Sequence, residues 1–242
     1  MTPVMLTGKC DANCQLCYTN RSRNPDELKW HEIKEVIDQT RALGSRTFYI
    51  AGEGEPLLDE NIFEIFRYCK EVGMDILMFT NGLLLSNEEY CRKTLGISNK
   101  DLVKIIADAP VYLYHKLWSA DPKKNRELMG LSKVDYEYLP FKLKGKKILL
   151  PTGLYLLMQE LPLERVGIES YVEERTIDEL VDTIIPLIKE TGIKSYIDPL
   201  MHSGRGFCVH DYDPDPKKVE KIKDYMVREN CGRVPYILVV QN

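Results

Sequence analysis

The chain has 242 residues, 44% of them apolar, which suits one sizeable domain with a packed core. A net charge of −4 gives no basis for a nucleic-acid or bilayer surface. No apolar run reaches the roughly eighteen residues of a membrane span, Met1 to Leu6 lack the features of a signal peptide, and an odd seven cysteines do not make a disulfide framework, so a cytoplasmic protein of a reducing compartment is expected.

Thr2 to Thr7 reads as a short buried strand. Gly8 breaks it and delivers a loop carrying Cys10, Cys14 and Cys17. After a solvated loop, Pro25-Asp26-Glu27 opens a helix with proline and two acids in its first turn; Trp30, Ile33, Val36, Ile37 and Leu43 follow at helical spacing, and Gly44 ends it. Thr47 to Ala51 is the second strand. Asn61 to Val72 is a helix with Ile62, Ile65, Phe66 and Cys69 on one face, stopped by Gly73. Asp75 to Phe79 is the third strand, ending at Thr80-Asn81-Gly82.

Ser86-Asn87-Glu88-Glu89 caps another helix, Asp101 to Ala107 reads as one more, and Val111 to Leu117 is the fourth strand. Asp121 to Lys147 is Lys-rich and expected to be helical in its middle. Leu154 to Met158 reads as the fifth strand. Thr176-Ile177-Asp178-Glu179 is a capping signature for a helix to about Thr191. Ile193 to Ile197 is the sixth strand, Lys217 to Glu229 a last amphipathic helix, and Pro235 to Val240 a final apolar run. Strands alternating with helices predict an α/β fold with a parallel sheet, and six such units fit a partial (β/α)6 TIM-like barrel with a short C-terminal helical and strand extension.

Three cysteines within eight residues argue for a metal site, because thiolates are strong soft ligands. A four-iron cubane on three thiolates leaves one iron open to a cofactor or substrate. Two other readings stay open on the spacing alone: a structural zinc site with His31 as fourth ligand, and a chance cluster of buried thiols. Gly52-Glu53-Gly54-Glu55-Pro56 stands at the C-terminal end of the second strand, the rim where parallel α/β folds collect ligand-binding groups. As a lone motif it is an ordinary turn. Cys69 and Cys91, inside helices, read as small core hydrophobes, as do Cys208 and Cys231.

The C-x₃-C-x₂-C spacing followed one unit later by GxGEP resembles the radical SAM superfamily, in particular the barrels of SPASM/twitch-type and MoaA-like members. The resemblance implies a [4Fe-4S] cluster on Cys10, Cys14 and Cys17, whose open iron takes S-adenosyl-L-methionine (SAM), cleaved reductively to a 5′-deoxyadenosyl radical that abstracts hydrogen from a substrate. It also implies cofactor contacts at Leu16 or Tyr18 on the adenine, at Gly52, Glu53, Gly54 and Glu55 on the methionyl amino group, at Asn81 on the site border, and at Lys116 and Ser119 on the carboxylate or ribose. Glu53 departs from the family's glycine at that position. Asp198 to Gly206 resembles the barrel exit of members with an auxiliary cluster, so the barrel is expected over 1–206 and an extension, the start or remnant of an auxiliary domain, over 207–242. His202 is the one histidine to watch as a substrate contact. The implied partners are a low-potential electron donor such as flavodoxin or ferredoxin and a small-molecule or peptide substrate. The rivals are a glycyl-radical-activating enzyme within the superfamily and, outside it, an iron–sulfur electron-transfer or redox-sensing protein.

Overall fold

The computed structural model describes residues 3–19, 27–199, 213–220 and 222. Parallel strands β1 (Thr47–Ile50), β2 (Asp75–Thr80) and β3 (Val111–Lys116) alternate with helices in the order the sequence predicts. Helix α1 (Trp30–Ala42) precedes β1 and α2 (Ile62–Val72) precedes β2. Between β2 and β3 run α3 (Leu83–Ser86), α4 (Glu88–Leu95) and α5 (Asn99–Asp108). The expected face of α2, Ile62, Ile65, Phe66 and Cys69, is the buried one, and Gly73 ends the helix at a left-handed φ of 70°. Asn87 caps α4 by accepting the Tyr90 N–H, and Ser98 caps α5 through the Asp101 N–H.

Four segments depart from expectation. Among the described residues of the first strand only Val4 pairs, bridging Ile50 in parallel, while Met5 is 59% exposed; the segment lies at the sheet edge and turns away after one bridge. Glu27 does not open α1. It accepts Thr7 Oγ1 and pairs with Lys9 Nζ at 2.7 Å, and α1 starts after Lys29, whose N–H is bonded by Glu32; Leu43, at the helix end, is exposed. In the segment 121–147 the helix comes first, α6 (Pro122–Leu128), capped by Asp121. Its second half begins an antiparallel hairpin of β4 (Tyr138–Leu143) and β5 (Lys146–Pro151). Lys144 and Gly145 between them have φ of 45° and 82°, the pair of positive values that tight hairpins require.

The apolar run Leu154 to Met158 is not a strand but the middle of helix α7 (Thr152–Glu160), which buries Leu154 and Leu157. The strand in that unit is β6 (Val166–Val172), buried at every residue despite its Gly, Glu and Ser. The capping signature at Thr176 opens a helical run as expected: α8 (Ile177–Glu179), a π-turn over Leu180–Ile184, and α9 (Ile185–Thr191), closed by Gly192 at positive φ. Strand β7 (Lys194–Pro199) follows.

The main sheet has the order β1-β2-β3-β6-β7, parallel throughout, with Val4 beside β1. The interior strand β6 is buried on both faces, while β1 alternates buried and half-buried residues. This is an α/β fold with the curved, partial-barrel sheet. One large apolar core joins the sheet to its helices, and a second, smaller one gathers Ala12, Cys14, Leu16, Leu83, Leu128 and Met129 around the cysteine loop. The described part of the C-terminal helix packs on the barrel: Lys218 pairs with Glu174 at 2.7 Å and Asp178 at 3.2 Å, and Ile222 enters the main core. His202, the Gly204-Arg205-Gly206 segment, Cys208, Cys231, Pro25-Asp26 and the Pro235 to Val240 run lie outside the described residues.

Candidate functional site

The cysteine loop is held by main-chain bonds on two sides. Asn13 N–H donates to Met129 O (3.1 Å) and Gln15 N–H to Leu128 O (2.9 Å), while Glu55 N–H donates to Lys9 O (2.7 Å). Two glycines make these approaches possible. A Cβ on Gly54, at φ 79°, would lie 2.0 Å from Thr7 O and 2.7 Å from Lys9 O; one on Gly130 would lie 2.1 Å from Asn13 O. The second glycine of GxGEP therefore seats the rim against the segment that leads into the cysteines.

Glu55 is 2% exposed and its carboxylate is occupied by the chain itself. Oε1 accepts Thr80 Oγ1 (2.7 Å) and Leu57 N–H (3.2 Å), and Oε2 accepts Asn81 N–H (2.7 Å). Burial, then the nearby Asp11, push its carboxyl up to about 7 against these donors. Asn81 joins three segments: its side chain donates to Asp11 Oδ1 (2.6 Å) and lies 3.9 Å from Cys10 Sγ, and its carbonyl accepts Tyr136 Oη (2.6 Å). Behind it His115, fully buried, gives its Nδ1 proton to Lys116 O (2.8 Å) and presents Nε2 to Ser86 Oγ at 3.4 Å; Gly82 rests directly on the ring. Burial pulls His115 down to about 4, so the imidazole is neutral.

One cavity at the C-terminal rim takes in most of the expected residues. Cys10, Cys14, Cys17 and Tyr18 line it together with Gly52, Glu53, Gly54, Glu55, Asn81 and Lys116. Tyr18 Oη donates to Gly52 O at 3.2 Å, linking the cysteine loop to the rim. Cys14 is buried with its Sγ 3.9 Å from Met129 Sδ; Cys10 and Cys17 are half-buried, and Cys17 Sγ lies 3.2 Å from Thr19 Oγ1.

Two expected residues do not line the cavity. Leu16, 2% exposed, is packed into the smaller core, so of the two candidates for the adenine Tyr18 is the one that lines the cavity. Ser119, 1% exposed, donates to Glu179 Oε2, a carboxylate also bonded by Ala120 N–H; the backbone turns there into the cap of α6 and carries the hydroxyl away. His31 is exposed on α1 and is not among the lining residues.

The sequence reading missed the other wall. Trp118, Glu169, Tyr171, Tyr196 and Asp198 line it, on β6, β7 and the end of β3. Lys116 stands opposite Glu169 in register, with Nζ 3.8 Å from Oε2. Burial alone would lower Lys116, but the negative charge of Glu169, with that of Cys14, Tyr171 and Cys17 when ionised, holds it well above the ordinary range, so the ammonium is charged. An acid within the run Val166 to Val172, whose ends are apolar, was the signal available for Glu169.

The parallel sheet with a thiol-lined cavity at its C-terminal rim defines a partial α/β barrel with a cysteine-bearing loop at its mouth. The Radical SAM superfamily model matches residues 4–139, more than half of the chain, and the protein belongs to that superfamily. Its curated relatives include the AdoMet-dependent heme synthase of Methanosarcina barkeri, 36% identical over 85 residues, which are 34% of this chain and 24% of that protein. The probable GTP 3′,8-cyclase of Sulfurisphaera tokodaii is 27% identical over 222 residues, 90% of this chain and 62% of the relative. The chain thus spans less than two thirds of either relative's length. Among solved structures, Streptococcus suis SuiB bound to the precursor peptide SuiA superposes with a TM-score of 0.64 at 16% identity, over 94% of this chain and 47% of SuiB, a likeness of fold.

Proposed function

We propose that the chain is the barrel of a radical SAM enzyme that binds a [4Fe-4S] cluster through Cys10, Cys14 and Cys17 and S-adenosylmethionine beside it. The observation that carries this reading is the single cavity shared by the three thiols, the Gly52–Glu55 rim, Tyr18 and Lys116. The donor set fits the group: among the described residues three thiols and no histidine line the cavity, and apolar Leu16, Leu83, Leu128 and Met129 back them. Among the described residues no three His, Cys, Asp or Glu side chains converge on one metal-ion position, whereas a four-iron cluster takes each thiolate on a separate iron. Cluster and cofactor together supply a 5′-deoxyadenosyl radical; the protein's part is to orient and to exclude water.

In that role Lys116 neutralises the cofactor's carboxylate, Tyr18 packs near the adenine, and the half-buried Gly52 to Gly54 segment, which lines the cavity, meets the methionyl amino group. Glu55 acts indirectly, by fixing the rim, since its oxygens already accept three donors. Asn81 positions the cysteine loop through Asp11. We assign Leu16 and Ser119 to packing and capping.

The substrate is a small molecule or a peptide, the range spanned by the relatives' names, and a low-potential flavodoxin or ferredoxin supplies the electron. The barrel domain takes residues 1–206 and the extension 207–242. Among the described residues no helix is long and apolar enough to cross a membrane. The test is anaerobic reconstitution with iron and sulfide, addition of S-adenosylmethionine and dithionite, and an assay for 5′-deoxyadenosine. Product above a Cys14→Ala control supports the reading. A reducible cluster that yields none supports the electron-carrier alternative instead.

A further inference from the structure

The wall opposite the cysteines has a chemistry of its own. Phe79 stacks on Tyr114 with ring centroids 5.1 Å apart, and Tyr196 meets Phe79 edge-on at 4.9 Å. Gly167 makes room for this floor, because a Cβ there would lie 2.4 Å from the Tyr114 ring. Above it stand Glu169 on β6 and Asp198 on β7, adjacent parallel strands in which Glu169 pairs with Tyr196 and Tyr171 with Asp198. Both acids line the cavity.

Glu169 is 5% exposed; its buried Oε2 forms an ion pair with Lys116 Nζ at 3.8 Å, longer than a hydrogen bond, and accepts no hydrogen bond. A carboxylate oxygen taken from water without a full partner is costly unless a ligand completes it. Asp198 accepts a hydrogen bond from Tyr196. Among the described residues lining the cavity, the acids are Glu53, Glu55, Glu169 and Asp198, and Lys116 is the one base. On the reading above, Lys116 is engaged by the cofactor. Glu169 and Asp198 are then left facing the cavity beside the rings of Tyr49 and Tyr196.

Resting on that reading, we propose that Glu169 and Asp198 form the substrate subsite and receive a cationic group, a protonated primary amine carried by the substrate. Two carboxylates supply the counter-charge and accept the ammonium's donors, while tyrosine faces add cation–π attraction. Burial pushes Asp198 up to about 6 and raises Glu169 as well, and an arriving cation would reverse both shifts.

The experiment uses the full chain, reconstituted anaerobically, with three probes of one size: n-butylammonium, n-butanol and butanoate. Saturation-transfer NMR reads their binding with and without S-adenosylmethionine, on wild type and on Glu169→Gln and Asp198→Asn, with circular dichroism to certify folding. The expected result is that n-butylammonium binds at least tenfold more tightly than the other two. Either isosteric variant should remove that preference, and added S-adenosylmethionine should not compete with it. Equal binding of the three probes, or a preference that survives in both folded variants, overturns the proposal. Displacement of n-butylammonium by S-adenosylmethionine also overturns it, because the acids then hold the cofactor. Formation of 5′-deoxyadenosine by the wild type is scored separately, so a failed amine preference with product present leaves the enzyme reading standing, and the converse leaves the subsite without its enzyme.

Discussion

The carboxylate of Glu55 and the backbone N–H of Asn81 meet at 2.7 Å, joining the ends of neighbouring strand units that are 26 residues apart in sequence. Thr80 Oγ1 already accepts the Gly82 N–H, so its own proton goes to Glu55, and all three groups on this carboxylate are donors.

Glu55→Gln therefore sets an amide NH₂ against one of those donors, and Glu55→Ala leaves all three without their acceptor. Each change is expected to lower stability by about 2 kcal/mol or more, the scale of hydrogen bonds to a buried charged group. Urea denaturation curves check this. Unchanged midpoints in both variants would show that the rim does not depend on the carboxylate.

Gly54→Ala is expected to abolish cluster loading, since the new Cβ meets the carbonyls of Thr7 and Lys9 at the entrance to the cysteine loop. Gly73→Ala is the control. Its φ of 70° is equally left-handed, but nothing lies within 4 Å, so the cost is about 1–2 kcal/mol with iron content intact. Iron per chain after reconstitution separates the two.

Cys14→Ala should lose the cluster's visible absorbance and its iron while the barrel stays folded. Cys69→Ala and Cys91→Ala should keep both. Those two thiols are fully buried in α2 and α4, where burial pushes them up to about 12 and about 11, far from a thiolate at neutral pH. Iron retained by the Cys14 variant would remove it from the ligand set.

His115 predicts acid sensitivity. Its folded value near 4 lies below the ordinary 6.5, so between those pH values the unfolded chain binds the proton and the folded one does not. The stability this contributes is present above about pH 6.5 and is lost as pH falls to about 4, by about 3 kcal/mol in all. Glu55 acts with the opposite sign: raised to about 7, it costs stability as pH climbs from about 4.5. Only a difference isolates the histidine. The stability of wild type minus His115→Asn, from urea curves, should rise with pH across this window; a flat difference would mean that another group carries the effect.

The parts of the fold legible in the sequence are those where a local rule and the tertiary role agree. The buried stripe of α2 with Gly73 behind it is one case, and the Asn87 cap of α4 is another. The cysteines and the GxGEP rim were legible as neighbours because each is a motif of fixed spacing, and one cavity brings them together. Leu154 to Met158 misled because five consecutive apolar residues satisfy a buried strand and a buried helix equally; α7 packs on α3, where Gly153 fits against Leu85, and no local pattern announces that neighbour. Strand β6 was passed over for a related reason. Glu169 and Ser170 interrupt its apolar run, one facing the cavity and the other donating to Leu117 O, so the residues that make the strand useful also dilute its signal. Ser119 was assigned by position, and nothing local disclosed that Glu179, sixty residues on, would claim its hydroxyl.

The cradle formed by Lys9, Leu128 and Met129 has a bearing on how the protein matures. Ordering a backbone residue costs about 1–2 kcal/mol, and a loose eight-residue loop would levy that charge on whatever metal it captured. Here the bonds from Asn13, Gln15 and Glu55 order the loop when the chain folds. On the proposed function, metallation meets a finished socket, so the apoprotein should be a stable folded species and cluster delivery a late step, separable in time from synthesis.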